Sequence, residues 1–358
     1  MSKFLAALLI AIPAVSFAQA EKEEHWSVTG SAELLRTMPT EGWDPLSLRQ
    51  FDGRTDGPRL INARLVIRYS DVKGRFMAYL EPWIGDATDV LTDYEPSGSR
   101  VVRNLGQAYV RFGDDSQNIE AGKFNSWIGY ESPLAADNDH FSRGVLYTLA
   151  QPAYHAGVRA SKQFSPNFGG TVYVVTGWSQ VEGDGAFGAQ GRWQADAKTA
   201  VTVGLYSGSE GDEQPNDLGS YGGIGFGVPG HARVNLVDVI VTHDVDPTLR
   251  FGLNADLAHA DGSVEGSWSG IALYARKNIG DKDTVAARFG WVRDSDGLRT
   301  GMDSTVNEFI LTWTHRLNEQ FSVLLEGRHD WASEDLFLVA GSQKSRQTTL
   351  SAGVIFRF

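Results

Sequence analysis

Leu350-Ser351-Ala352-Gly353-Val354-Ile355-Phe356-Arg357-Phe358 alternates with a period of two. Leu350, Ala352, Val354, Phe356 and Phe358 fall on one side. Thr349, Ser351, Gly353 and Arg357 fall on the other, with Ile355 as the exception. An apolar-polar strand ending on an aromatic residue suits the closing strand of a membrane barrel, which faces lipid on one side only. Such a strand is also the expected handle for the barrel assembly machinery, presented through Phe358.

The front of the chain points the same way. Lys3 precedes an apolar run from Phe4 to Val15, followed by Ser16-Phe17-Ala18-Gln19-Ala20 and then by Glu21-Lys22-Glu23-Glu24. A basic start, a short apolar core and a small-x-small site describe a secretory leader cut after Ala20. The run is too short to span a bilayer and Pro13 interrupts it. The expected organisation is a leader over residues 1–20 and one barrel domain over residues 21–358. No other stretch is apolar for long enough to make a spanning helix. A membrane form must therefore be a closed barrel, because an open sheet leaves backbone groups unpaired in lipid.

Composition narrows the function. Removing the leader takes Lys3 and no acid, leaving 31 basic and 44 acidic side chains, which argues against nucleic-acid binding. Cysteine is absent, and with it disulfides, thiolate metal sites and cysteine catalysis. Forty glycines, ten tryptophans and eleven tyrosines in a chain of mean hydropathy −0.24 fit aromatic girdles around a wet interior.

Sixteen strand candidates begin near His25, Arg59, Lys73, Arg100, Ser116, Ala153, Asn167, Gly185, Lys198, His231, Thr248, Val264, Lys282, Thr305, Gln320 and Ser345. Every second connection is a tight turn rich in Asp, Asn, Gly or Pro, such as Gly113-Asp114-Asp115-Ser116 and Val245-Asp246-Pro247-Thr248. Most of the others are longer, among them 38–58, 86–99, 125–152 and 209–230. Short turns on one rim and long loops on the other describe an all-β, closed antiparallel transmembrane β-barrel of about 16 strands, with the turns in the periplasm and the loops outside.

Alternation also separates the two faces of the wall. Ile61, Ala63, Leu65, Ile67 and Tyr69 oppose Asn62, Arg64 and Arg68. Phe76, Ala78 and Leu80 oppose Arg75, Tyr79 and Glu81. Ala108, Val110 and Phe112 oppose Arg103, Gln107 and Arg111, while Phe321, Val323, Leu325 and Trp331 oppose Glu326, Arg328 and Asp330. Charges on a membrane strand need a watery or ion-paired lumen. At this strand number an aqueous channel fits better than a sealed barrel. The expected pore lining is Arg64, Arg68, Arg75, Glu81, Arg103, Gln107, Arg111, Arg159, Glu326 and Arg328, an ionic interior inside an apolar shell.

The longest connection, 125–152, carries Trp127, Tyr130, Glu131, Asp137, Asp139 and Arg143 among further apolar residues. So many aromatics require a surface to cover them. Folding inward against the wall would narrow the pore and set its carboxylates opposite the arginines, creating a transverse field that sorts charged solutes. These six residues are the expected constriction. Packing outward against neighbouring subunits or lipid headgroups is the alternative.

Gly122-Lys123-Phe124, Gly129-Tyr130-Glu131, Asn138, Ser142-Arg143 and Pro152-Ala153-Tyr154-His155-Ala156-Gly157 resemble the central signature of the OmpL-like β-barrel porin family, most clearly over residues 100–180. The resemblance implies an outer-membrane porin whose partners are outer-membrane lipid and small hydrophilic solutes, without naming a solute. The chain also resembles general sixteen-stranded porins in placing its long loop after the fifth strand; those are often homotrimers. No cofactor, metal or catalytic residue is expected. Asp294-Ser295-Asp296-Gly297 opens like a calcium loop but has no glutamate at the required distance. The rival readings are a barrel phospholipase, needing a serine and a histidine that converge on the outer wall, and an adhesive barrel with a plugged lumen.

Overall fold

The computed structural model describes residues 24–42, 45–91, 104–179, 181, 183–209 and 232–358. Sixteen strands form one closed antiparallel wall: β1 (Glu24–Pro39), β2 (Arg59–Asp71), β3 (Phe76–Ile84), β4 (Leu105–Gly113), β5 (Gln117–Asn125), β6 (Tyr154–Ser165), β7 (Phe168–Val175), β8 (Ala186–Gln194), β9 (Thr199–Ser209), β10 (Ala232–Asp246), β11 (Leu249–Gly262), β12 (Gly266–Ile279), β13 (Asp283–Asp294), β14 (Ser304–Arg316), β15 (Phe321–Ala332) and β18 (Arg346–Arg357). A small hairpin, β16 (Phe337–Val339) with β17 (Ser342–Lys344), lies in the last long connection. Sequence periodicity gives no sign of it. Among the described residues two short α-helices, α1 (Asp86–Leu91) and α2 (Val145–Ala150), belong to the second and third long loops.

Closure rests on the stretch that opened the sequence reading. β18 pairs with both β15 and β1, with Ala32 opposite Phe356 and Leu34 opposite Val354. Phe358 and Gly30 exchange backbone hydrogen bonds of 3.1 Å in both directions. No strand edge is left for lipid to face, the condition that hydrocarbon imposes. Leu350 is 57% exposed on the outer face, whereas Ile355 turns inward and packs with Leu35 and Leu324, which accounts for the break in alternation.

The short-turn rim is built by one repeated device. Oδ1 of an Asp or Asn accepts N–H bonds from the residues two and three ahead: Asp114 from Ser116 (2.8 Å) and Gln117 (3.1 Å), Asp196 from Lys198 (2.7 Å) and Thr199 (2.9 Å), Asn318 from Gln320 (2.9 Å) and Phe321 (2.9 Å). Such a side chain supplies the acceptor the turning backbone lacks. The Ser116 hydroxyl, with these N–H groups, holds the Asp114 carboxyl below the usual aspartate value; the Lys198 N–H, with the Thr199 hydroxyl and N–H, does the same for Asp196. Above this rim aromatic rings line the outer face of β1 to β4. Trp26, Tyr69, Phe76 and Phe112 follow one another at centroid spacings of 5.0, 6.1 and 5.3 Å.

Ile61 departs from the expected face. A bulge between Glu33 and Leu34 pairs Asn62 with Glu33 and Leu60 with Leu34. The extra residue on β2 turns Ile61 into the interior, where it packs with Leu35, Trp83 and Val90; a bulge shifts the phase of every side chain beyond it.

Candidate functional site

The third long loop, 126–153, folds into the barrel. Its entry is set by two glycines. Gly122 on β5 stands opposite Gly157 on β6, with φ of +140° and +152°. A Cβ on Gly122 would sit 2.1 Å from the Ala108 carbonyl oxygen of β4, and one on Gly157 would sit 2.2 Å from the Val174 oxygen of β7. Beyond this pair both faces of the ribbon are covered: Lys123, Phe124, Tyr154 and His155 are all buried. The ribbon stays paired in the wall, Lys123 opposite Ala108 of β4 and the Ala156 carbonyl accepting from the Thr176 N–H, and it delivers the loop to the inside.

Once inside, the loop is fastened around most of the circumference. Arg288 of β13, with a fully buried side chain, bonds to Glu131 (3.0 Å), to Glu308 of β14 (2.8 Å) and to the Ser142 carbonyl (3.2 Å). Glu131 also accepts from the Gly144 N–H (3.0 Å) and the Tyr274 hydroxyl (3.0 Å). Glu326 accepts from the N–H groups of Phe141 (2.7 Å) and Ser142 (3.1 Å), and Arg328 donates to the Arg143 carbonyl (2.7 Å). Across the lumen Glu33 accepts from the Ala136 N–H (2.7 Å), and Arg64 bonds to Asp137 (2.7 Å). Asn254 and Asp256 of β11 take the Gln151 amide at 2.7 and 2.6 Å, and Asn254 also accepts from the Tyr130 N–H (3.1 Å).

Apolar packing completes the attachment. Trp127 stacks on Tyr173 at 3.8 Å and donates from Nε1 to the Leu205 carbonyl (3.2 Å). Phe124, Ile128, Leu146 and Leu149 join the same buried group as Trp127, with Tyr206 and Trp268 of the wall. A second group gathers Leu134, Phe141 and Tyr147 of the loop with Phe51, Trp83 and Val90. The long-loop half of the interior is therefore filled by loop side chains, its apolar clusters lying beside buried ion pairs such as Arg288–Glu131 and Arg328–Asp330. The first long loop also enters. Arg49 is buried against Asp52 and donates to Thr349 (3.1 Å), and the Ser47 hydroxyl accepts from the Leu338 N–H of β16 (3.0 Å).

The residues expected to line a pore divide into three groups. Arg68 and Arg75 are exposed, toward the short-turn side. Arg64, Arg111 and Arg159 are partly exposed: Arg111 and Arg159 hold one carboxylate, Glu120, between them, the former at 2.8 Å, and Arg64 reaches Asp137. Glu81, Glu326 and Arg328 are buried. The latter two lie under the loop and hold its backbone, so they fasten it instead of facing open lumen. Glu81 accepts from Tyr79 (2.8 Å) and from Gln107 (3.1 Å), whose Oε1 accepts the Asn125 N–H (3.1 Å). Arg103 lies outside the described residues, as do residues 210–231 of the connection between β9 and β10.

The loop residues divide likewise. Trp127, Glu131 and Arg143 are buried anchors, with the Arg143 guanidinium 5.7 Å from the Phe51 ring. Asp137, Asp139 and Tyr130 face space. Asp139 pairs with Arg276 at 3.0 Å. Beside it lies a cavity of about 250 Å³, bordered by Tyr130, Asp137, Arg250 and Arg276. A second, of about 200 Å³, lies among Asn125, Pro133, Tyr147 and Ala153, and Tyr130 and Glu131 border both. Arg288, Arg276, Arg250 and Asn254 were absent from the sequence-derived set. They share the inward phase of their strands, and the outward run Val285, Ala287, Phe289 and Trp291 was the available signal for Arg288.

The other chemistries considered in the sequence find these partners. Asp294 caps its own loop, accepting from the Arg299 (2.8 Å) and Thr300 (2.7 Å) N–H groups. His315 bonds to Asp283 (2.9 Å) and His329 to Thr348 (2.7 Å). On the outer wall His259 touches the Ser267 hydroxyl at 3.0 Å through Nδ1. Among the described residues no acid or amide is bonded to its other nitrogen, the orienting partner a hydrolytic triad uses.

Comparison with solved structures places the wall among bacterial porins. The chain superposes on the anion-selective porin from Comamonas acidovorans with a TM-score of 0.61 at 10% identity, covering 94% of this chain and 100% of that one. For OmpT of Vibrio cholerae the values are 0.63, 11%, 95% and 99%, and for the outer-membrane channel DcaP of Acinetobacter baumannii 0.62, 11%, 95% and 99%. OmpT is also solved in a trimer form. No curated protein sequence matches the chain. The family described as "Putative beta-barrel porin-2, OmpL-like" matches residues 44–358. With its closed sixteen-stranded wall and inward loop, the chain belongs to this family of outer-membrane porins, channels for the passive diffusion of small solutes.

Proposed function

We propose that solutes cross between the inward loop, at its exposed Asp137 and half-buried Asp139, and the β2–β6 wall carrying Arg64, Arg68, Arg75, Arg111 and Arg159, and that this passage favours anions. The carrying observation is an excess of guanidinium groups on that wall. Among the described residues neither Arg68 nor Arg75 is in an ion pair, while Arg111 and Arg159 share the Glu120 carboxylate and Arg111 also reaches the exposed Asp115 at 3.3 Å. Unneutralised cations on a pore wall raise the local anion concentration. The acidic total of the chain does not oppose this, since screened surface carboxylates act over only about 8–10 Å at physiological salt.

The test is the reversal potential across a planar bilayer under a potassium chloride gradient. Wild type is expected to prefer chloride, and Arg68→Gln with Arg75→Gln to move the potential toward potassium. A cation-selective wild type, or a double variant without any shift, would remove these residues from the path.

We infer further that the leader is cut after Ala20 and that three copies associate. What supports the first is the Ala18-Gln19-Ala20 small-x-small site after the apolar run; the second has the trimer form of OmpT in its favour. Native mass spectrometry of the purified protein should give three chains, each beginning at Glu21. Retained residues 1–20 would refute the first reading and a single-chain mass the second.

A further inference from the structure

We propose that the outer wall carries a binding site for a phosphorylated lipid of the outer leaflet, at the long-loop rim between β1, β15, β18 and the β16–β17 hairpin. A cleft of about 320 Å³ opens there, bordered by Thr40, His329, Lys344, Arg346 and Thr348, with Glu41 as the one acid. Arg346 and Lys344 are exposed, and among the described residues neither is in an ion pair. The His329 ring bonds to the Thr348 hydroxyl at 2.7 Å and stacks against Trp331 at 5.5 Å. Arg346 stands opposite Trp331 in register. Cations beside an interfacial tryptophan are the arrangement that receives an anionic head group at the edge of hydrocarbon.

The wall beneath the cleft selects a lipid over a free phosphate ion. Along the outer face of β18, Arg346 and Thr348 are followed by Leu350, Ala352 and Val354, so the charged, hydroxyl and apolar zones succeed one another toward the membrane centre. The neighbouring strand repeats the order with His329, Gly327 and Leu325. Leu350 and Leu325 are 57% and 54% exposed. Gly327 lies between them; a Cβ there would meet the Leu350 side chain at 3.7 Å, so its absence leaves a shallow furrow. A phosphate in the cleft thus has a track for its acyl chain directly below. A guanidinium and an ammonium give the phosphate charge-assisted bonds.

Full-length protein purified in a non-ionic detergent should be titrated with lipopolysaccharide, with the same lipid after enzymatic dephosphorylation, and with inorganic phosphate, and scored for bound lipid by native mass spectrometry. The phosphorylated lipid is expected to bind, and Lys344→Glu with Arg346→Glu to weaken it by at least about tenfold. Dephosphorylation should have a similar effect. Arg233→Glu, at another exposed rim position, should leave binding unchanged. Both substituted sites are exposed, so the barrel still folds, and unaltered single-channel conductance verifies that. Equal binding of the dephosphorylated lipid, or equal loss with Arg233→Glu, would overturn the proposal. Binding of inorganic phosphate without any lipid binding would reassign the cleft to free anions and overturn it too.

Discussion

Arg288→Ala is expected to release the inward loop and enlarge the conducting path. The guanidinium joins Glu131 of the loop to Glu308 of the wall and holds the Ser142 carbonyl. Its removal leaves two buried carboxylates. Glu308 keeps Arg328 at 3.0 Å, but Glu131 keeps only neutral donors, Tyr274 and the Gly144 N–H. Stranding a buried charge costs about 3–5 kcal/mol. The loop can avoid that cost by swinging Glu131 into water, which also pulls Tyr130 away from Asn254 of β11. The expected result is a larger, noisier single-channel conductance with little loss of barrel stability, because the wall's hydrogen-bond ladder is untouched. Arg288→Lys keeps the charge but not the fork that serves two carboxylates, so an intermediate effect should follow. Conductance equal to wild type in Arg288→Ala would show that the remaining anchors hold the loop alone.

Gly157→Val should be the most damaging single change in the wall. Its Cβ would collide with the Val174 carbonyl oxygen, and its backbone φ of +152° is one that a β-branched residue rarely adopts. Strain of about 1–3 kcal/mol adds to overpacking of similar size. Relief requires the β5–β6 ribbon to move away from β7, which uncovers Tyr154 and His155 and misdirects the loop they lead into. A lower urea midpoint for the folded band on an unheated gel is expected, together with altered conductance. Gly191→Ala, where the nearest atom to the new Cβ is 3.7 Å away on the Phe168 ring, should stay within about 0.5 kcal/mol of wild type. Equal midpoints for the two variants would mean that the glycine pair does not set the ribbon's course.

How far the sequence could be read follows from what each feature depends on. The sixteen wall strands begin within a few residues of the positions expected, because a lipid-facing side chain must be apolar wherever its strand pairs. Phe112, Leu350 and Leu325 obey that rule without reference to any distant residue. The turns were legible for the same reason: Asp114, Asp196 and Asn318 bond to backbone two and three residues ahead. Ile61 escaped because the bulge that turns it inward depends on the register between β1 and β2. The β16–β17 hairpin has three-residue strands, too short for periodicity to register.

Inside the barrel the position is reversed. Inward polarity marked Arg64, Glu326 and Arg328 alike, yet Arg64 borders the lumen while the other two are roofed over by the loop. The same polarity left Arg288, Arg276 and Asn254 unremarked, although they hold the loop in place. Which inward residue meets the loop is fixed by the curvature of the closed wall and by the point where Gly122 and Gly157 let the ribbon bend, distances that no one strand contains.

The amino-acid order by itself thus determined the cylinder: hydrocarbon demands an apolar outer face and a paired backbone at every strand, and both demands are met locally. Only the tertiary structure decided the interior. There Trp127, Glu131 and Arg143 are buried anchors, whereas Asp137 and Asp139 stay open, because a loop crossing the lumen meets strands more than a hundred residues away.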